Sequence, residues 1–229
     1  MTEGSSASED RGRPVLQAIA ALVLVVGVMG GLWAQHKFAA HKDASGRPAE
    51  CSNSENHLPA RYVSGARLCT ALNRSDLPAL LGTPKEEIES ANGSGEWITL
   101  TGGTKIAAPE ATVSLETYTV KLSASYDDIS VAETGELMGD ARRTTVLGHP
   151  AVVYSSPTIS IKFNLGGGKA HTGPGGTARC VLVSKHRKDD GDGSFEVAVW
   201  RQDDVPPDDT ALLRVAEQVL QTVPGWSGH

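Results

Sequence analysis

Positive charge is in short supply in this chain. It carries 21 Lys and Arg against 27 Asp and Glu, a formal balance of −6. That balance argues against a nucleic-acid partner, because such binding is dominated by neutralising phosphates. Cysteine is scarce too: three residues permit one disulfide and leave one thiol over.

The motifs of familiar chemistry are also missing. No serine stands in a G-x-S-x-G, since Ser94 in Asn92-Gly93-Ser94-Gly95 lacks the first glycine at the required place. His57, His149, His171 and His186 are scattered, without H-E-x-x-H or Cys/His metal spacing. In the glycine-rich stretch GGGKAHTGPGG, Lys169 is followed by Ala170. A phosphate-binding loop needs Ser or Thr there for the metal, and a helix start for the phosphate. Asp189, Asp190 and Asp192 share a turn, but Ser194 and Phe195 occupy the last places of a would-be calcium loop. No catalytic, cofactor-binding or metal-binding residue is nominated, no cofactor is expected, and the chain is not read as an enzyme.

What the sequence does have is one long apolar run, Val15 to Trp33 (VLQAIAALVLVVGVMGGLW), whose one strongly polar side chain is Gln17. Roughly 20 residues at ~1.5 Å each span the ~30 Å core of a bilayer. A cleaved signal peptide has an apolar stretch of only about 7–15 residues ending in a small-x-small site. Here Leu32-Trp33-Ala34 and Phe38-Ala39-Ala40 place a bulky residue three before the cut, so an uncleaved anchor is expected. Arg11 and Arg13 on one side balance Lys37 and Lys42 on the other, so charge does not orient it. The short tail suits the cytoplasm and the downstream cysteines suit an oxidising exterior. Gly27 and Gly31 form a G-x-x-x-G through which two anchors could pair weakly.

The expected plan is a disordered cytoplasmic tail (1–14), a transmembrane anchor (15–34), a flexible linker (35–59) and an extracytoplasmic α+β domain (60–229). The domain opens with helical patterns: Tyr62 to Leu72, Asp76 to Leu81 behind Ser75, and a third helix from Thr83-Pro84-Lys85-Glu86 to Ser90, ended by Asn92-Gly93-Ser94-Gly95. Strands are expected at Trp97–Leu100 and Thr112–Ser123, the second with a bulge near Glu116 or Thr117 where the apolar parity shifts. Asp127–Met138 reads as a helix interrupted at Gly135. Arg142–Leu147 and Ala151–Ser155 flank a turn at Gly148-His149-Pro150, and Thr158–Leu165, Ala178–Ser184 and Phe195–Arg201 follow as strands. A last helix, Thr210 to Thr222, presents a broad apolar face. The fold class is therefore α+β: short N-terminal helices, an antiparallel meander, and a C-terminal helix packed on the sheet, preceded by one transmembrane helix.

Cys69 falls in a helical pattern and Cys180 in a strand pattern, both facing the core, whereas Cys51 lies in the polar linker. The favoured bond is Cys69–Cys180, with Cys51–Cys69 as the alternative. The odd thiol could bridge two chains.

The anchor, the segment YVSGARLCTALNRSDLPALLG, the GHPA turn, the cysteine-bearing strand followed by FEVAVWR, and the helix ending in VPGW resemble a group of actinobacterial membrane-anchored secreted proteins of unknown function. The resemblance implies location and fold and transfers no catalytic residue. The functional expectation is a membrane-tethered extracytoplasmic binding or sensing module, with a small ligand or another envelope protein as partner. A structural accessory protein of the envelope is the second reading and a hydrolase the third.

Overall fold

The computed structural model describes residues 49–53, 58–99, 103–162, 171–203 and 205–226. Its strands are β1 (Cys51–Asn53), β2 (Ser90–Thr99), β3 (Lys105–Ser114), β4 (Tyr118–Ser125), β5 (Arg142–Val146), β6 (His149–Lys162), β7 (His171–Ser184) and β8 (Ser194–Arg201). Its helices are α1 (Gly65–Leu72), α2 (Leu77–Leu80), α3 (Val131–Leu137) and α4 (Asp209–Leu220). The strands form one eight-stranded sheet in the order β1-β2-β3-β4-β8-β7-β6-β5. β1 runs parallel to β2, and every other neighbour is antiparallel.

The expected α+β architecture is corrected by this sheet. The fold is mostly β, with a few short helices. Among the described residues no helix is long and apolar enough to cross a membrane. The run Val15–Trp33, with Gly27 and Gly31, lies outside the described residues, as do the tail and most of the linker. Of the expected linker 35–59, Cys51–Asn53 is built into the sheet as β1.

Two of the corrected elements have clear physical causes. The helix expected from Thr83 to Ser90 does not form beyond a single turn, in which the Glu86 N–H donates to the Thr83 carbonyl at 3.0 Å. Its would-be capping glutamate is captured across the fold: Glu86 accepts from the Thr117 N–H at 3.1 Å and the Thr117 hydroxyl at 2.5 Å. Thr117 itself sits in the tight connection between β3 and β4. The parity shift there marks a hairpin turn between two strands, not a bulge within one.

The glycine run expected to end a helix is instead the middle of β2. The reason is α1. A Cβ on Gly65 would lie 2.1 Å from the Ser94 carbonyl oxygen, so the first turn of α1 rests directly on the β2 backbone. The glycine this approach requires is on the helix side, at Gly65 itself. Ser64 caps α1, accepting from the Arg67 N–H at 3.3 Å.

On this same face α1 lays Leu68, Cys69 and Leu72, and α4 lays Leu212, Val215, Ala216, Val219 and Leu220, over Val113, Val120, Leu122, Val181, Val183, Val197 and Val199. Each such Leu or Val contributes about 1.5–3 kcal/mol on full burial. A smaller cluster lies on the opposite face, where Val131 of α3 meets Val152, Tyr154, Cys180, Leu182 and Ala198.

The sheet's two faces decide the disulfide. The expected Cys69–Cys180 bond is not made; Cys51 is bonded to Cys69, and Cys180 is a buried free thiol. Successive strand residues point to opposite faces. Val181 and Val183 face the α1 and α4 side, so Cys180 faces away, with the whole sheet between it and Cys69. β1, next to β2, brings Cys51 to the edge of α1.

Two outcomes follow from this packing. Gly65→Ala should cost at least ~1–3 kcal/mol, the usual penalty for overpacking against atoms that cannot retreat, read as a lowered denaturation midpoint. Reduction of the bond that spans 18 residues should cost ~3 kcal/mol on the loop-entropy estimate. Non-reducing peptide maps should recover Cys51 joined to Cys69, and Cys180→Ala should leave that peptide intact.

Candidate functional site

One group of ionisable side chains lies on the sheet face away from α1 and α4. Lys121 of β4 pairs with Glu110 of β3 at 3.5 Å, with side-chain exposures of 13% and 16%. In the ladder Lys121 is opposite Ala198, Cys180 is opposite Ala198 from the other side, and Tyr154 is opposite Cys180. The Tyr154 hydroxyl donates to Glu196 at 2.5 Å. Burial pulls the Lys121 pKa down, but the carboxylates of Glu110 and Glu196 more than offset it, and the net shift is upward. Burial, reinforced by Glu196, pushes the Tyr154 phenol and the Cys180 thiol well above their ordinary values. At neutral pH the lysine is thus an ammonium, and the phenol and thiol keep their protons. The group offers no amine or thiolate nucleophile. It is a satisfied charge cluster on a sheet.

A different arrangement occurs at the other end of the sheet, where α4 crosses above β5. Here Arg142, Arg143, Thr144 and Val153 from the strands and Asp209, Thr210, Leu213, Arg214 and Glu217 from the helix line a cleft of about 420 Å³. Asp208 caps α4, accepting from the Thr210 N–H at 3.1 Å, so Asp209 enters the first turn, where a carboxylate suits the helix dipole. Asp209 is held by two arginines from different strands: Arg179 of β7 at 2.7 Å, and Arg142 of β5. Arg179 also bonds the Ser155 hydroxyl and approaches Asp140 at 3.4 Å. The Arg179 hydrogen bond holds the Asp209 pKa below the ordinary carboxylate value. Asp140 is likewise lowered, chiefly by its bonds from Ser155.

The cleft therefore has a fixed half and an open half. Arg179 and Asp209 form the inner pair that ties α4 to the sheet, and the largely exposed Arg142 joins Asp209 from the rim. Arg143 reaches Glu136 at 3.3 Å, with both side chains more than 70% exposed. Arg214 is exposed on α4 and has no carboxylate partner among the described residues. Arginine presents a planar fork of donors that suits carboxylate and phosphate oxygens.

The positions singled out in the sequence are otherwise occupied by structure. His149 is fully buried; its Nδ1 lies 3.0 Å from the Ser184 carbonyl and its ring lies 4.2 Å from that of Trp226. Its Nε2 has no partner within the described residues. His186 pairs with Asp192 at 3.0 Å. His171 starts β7 opposite Lys162. His57, Lys169 and Ala170 lie outside the described residues. Asp189 accepts from the N–H groups of Val131 and Ala132, both at 2.8 Å, and so caps α3 from another part of the chain. Among the described residues no three metal-ligating side chains converge. Sequence reasoning missed the arginine cleft. Its members come from β5, β7 and α4, and only a double arginine at Arg142-Arg143, on an expected strand, could have hinted at it.

The fixed half gives a pH expectation. The Asp209 pKa is lowered in the folded chain, so its contribution is fully present above the unfolded carboxylate value of about 4 and is lost as pH falls through the lower folded value. Asp209→Asn should flatten the acid limb of a stability–pH profile. At neutral pH it should cost about 1–3 kcal/mol, because Arg179 loses a partner in a mostly buried place. Urea midpoints taken at several pH values check both.

No curated protein and no solved structure matches the chain. Residues 9–141, more than half of the chain, match a family described as a family of unknown function (DUF6215). The match covers β1 to β4 and α3 and stops before β5. The chain belongs to this DUF6215 family.

Proposed function

We propose that this protein is a non-enzymatic binding or sensing module, held at a membrane on its extracytoplasmic side, whose ligand presents an anionic group to the cleft between β5 and α4. The observation that carries the ligand class is Arg214: an exposed guanidinium at a cleft of about 420 Å³, without a carboxylate partner among the described residues. Its volume falls in the range of small-ligand clefts, and its mostly polar lining residues, unlike the apolar walls usual there, suit a charged ligand.

The location is supported by two independent features. The Cys51–Cys69 bond suits an oxidising compartment. The apolar run Val15–Trp33 supplies the means of attachment. The resemblance to actinobacterial membrane-anchored secreted proteins agrees with both. The non-enzymatic reading is supported by the sheet-face cluster, whose lysine, phenol and thiol are all held protonated.

Inorganic phosphate and succinate are suitable probes for the full chain in detergent micelles. Titration should saturate, and Arg214→Ala should weaken binding about tenfold, equivalent to ~1.4 kcal/mol, without shifting the denaturation midpoint. Equal binding by the variant, or none by the parent chain, would remove the anionic-ligand reading.

A further inference from the structure

We propose that the free edge of β5 takes an extended acidic peptide by strand addition, a reading that rests on the cleft being an anion site and names the partner that would use it. β5 is the last strand of the sheet. A two-residue turn joins it to β6, with Val146 opposite His149, Thr145 opposite Pro150, Thr144 opposite Ala151 and Arg142 opposite Val153. In an antiparallel pair, residues alternate between exchanging hydrogen bonds and not. Pro150 has no N–H, so Thr145 and Pro150 occupy a non-bonded place. Val146, Thr144 and Arg142 then turn their backbone groups inward to β6. Arg143 and Thr145 turn theirs outward, where no described element pairs with them.

Both ends of this edge are closed. The turn at Leu147 and Gly148 limits one end. At the other, Asp140 accepts from the Ser155 N–H at 3.0 and 3.1 Å, so the side of β6 just beyond β5 is already occupied. The remaining edge is the five residues of β5. An added strand pairing with it would lie beside the cleft mouth.

Charge selects the occupant. Arg142 and Arg143 stand on opposite faces of β5: the first toward Asp209 of α4, the second toward Glu136 of α3. Arg214 adds a third cation from the α4 side. A second copy of this edge would gather four arginines on one short seam, which disfavours self-pairing and is how edges are commonly protected. An incoming strand with acidic side chains on both faces meets cations on both faces instead. The pairs already made by Arg142 and Arg143 are with largely exposed partners or arginines, and such pairs hold weakly enough to be exchanged. Main-chain bonds supply affinity in this mode and side chains supply selection.

The test uses the full chain in detergent micelles, with the peptide Thr-Glu-Glu-Val-Glu-Glu-Thr, whose paired glutamates fall on both faces of an extended strand. Its controls are the same peptide with alternate backbone nitrogens methylated, and a version with Lys for Glu. The acidic peptide should bind and slow amide exchange at Arg143 and Thr145. Backbone methylation, Lys for Glu, and Arg142→Ala with Arg214→Ala should each weaken binding by about tenfold or more. Thr145→Pro removes an outward N–H that makes no bond in the sheet, so the chain should keep its fold and lose the peptide. Equal binding of the methylated peptide, or no protection at Arg143 and Thr145, would overturn strand addition while phosphate binding at Arg214 still upheld the cleft. If phosphate also fails to bind, both readings fall together.

Discussion

The pairing of β4 with β8 is the contact on which the rest of the molecule depends. Two meanders, β2-β3-β4 and β5-β6-β7-β8, are each local in sequence and would each be an open sheet alone. The ladder from Tyr118 opposite Arg201 to Ser125 opposite Ser194 joins them into one surface. Its helix-side residues, Val120, Leu122, Phe195, Val197 and Val199, are fully or almost fully buried and lie beneath both α1 and α4. Neither helix has enough sheet to cover without this seam. To make it, the chain leaves β4, passes through α3 on the far face, and returns from the opposite edge strand by strand. Long-range closures of this kind are costly in loop entropy and repaid only when the whole face is in place.

The same ladder sets the fate of every chemically interesting side chain. A register offset by one residue would exchange the two faces. As it stands, Cys180 and Tyr154 lie on the side away from the main core, with Lys121 and Glu196, while the Cys51–Cys69 bond lies on the α1 side. A thiol buried beside a carboxylate is held protonated, and a lysine between two carboxylates is held charged. The burial that makes these groups conspicuous in the chain removes their reactivity.

Much of the strand content was legible because β-strands with one buried face alternate visibly. β8 and the inner half of β7 follow the expected segments closely, and α4 is the amphipathic helix its periodicity indicates. What failed was whatever depended on a distant partner. A capping threonine, proline and glutamate at Thr83-Pro84-Lys85-Glu86 is a sound local helix start, yet Glu86 gains more from Thr117. Asn92-Gly93-Ser94-Gly95 reads as a terminator until α1 is placed on top of it. Cys51 looked like linker because β1 is only three residues long, too short to show a period. The cleft was illegible for the same reason: its arginines and acids are separated by up to 75 positions, from Arg142 to Glu217.

The contrast between the two charged regions bears on where recognition would occur. On the sheet face, Lys121 and its carboxylates are mostly buried and satisfy one another, so a ligand would have to displace a pair already taken out of water. Separating such a pair leaves a charge uncompensated in a poor solvent, which is expensive. At the cleft the burden is divided differently. Arg179, at 13% exposure, holds Asp209 and fixes α4, and this bridge keeps its shape whether or not anything binds. Arg142, Arg143 and Arg214 project from that rigid base into solvent, where exchanging one anionic partner for another costs little. A fixed inner pair carrying exchangeable outer cations is the arrangement a binding surface requires: the geometry is set before the ligand arrives, and the ligand need not break the fold to be held.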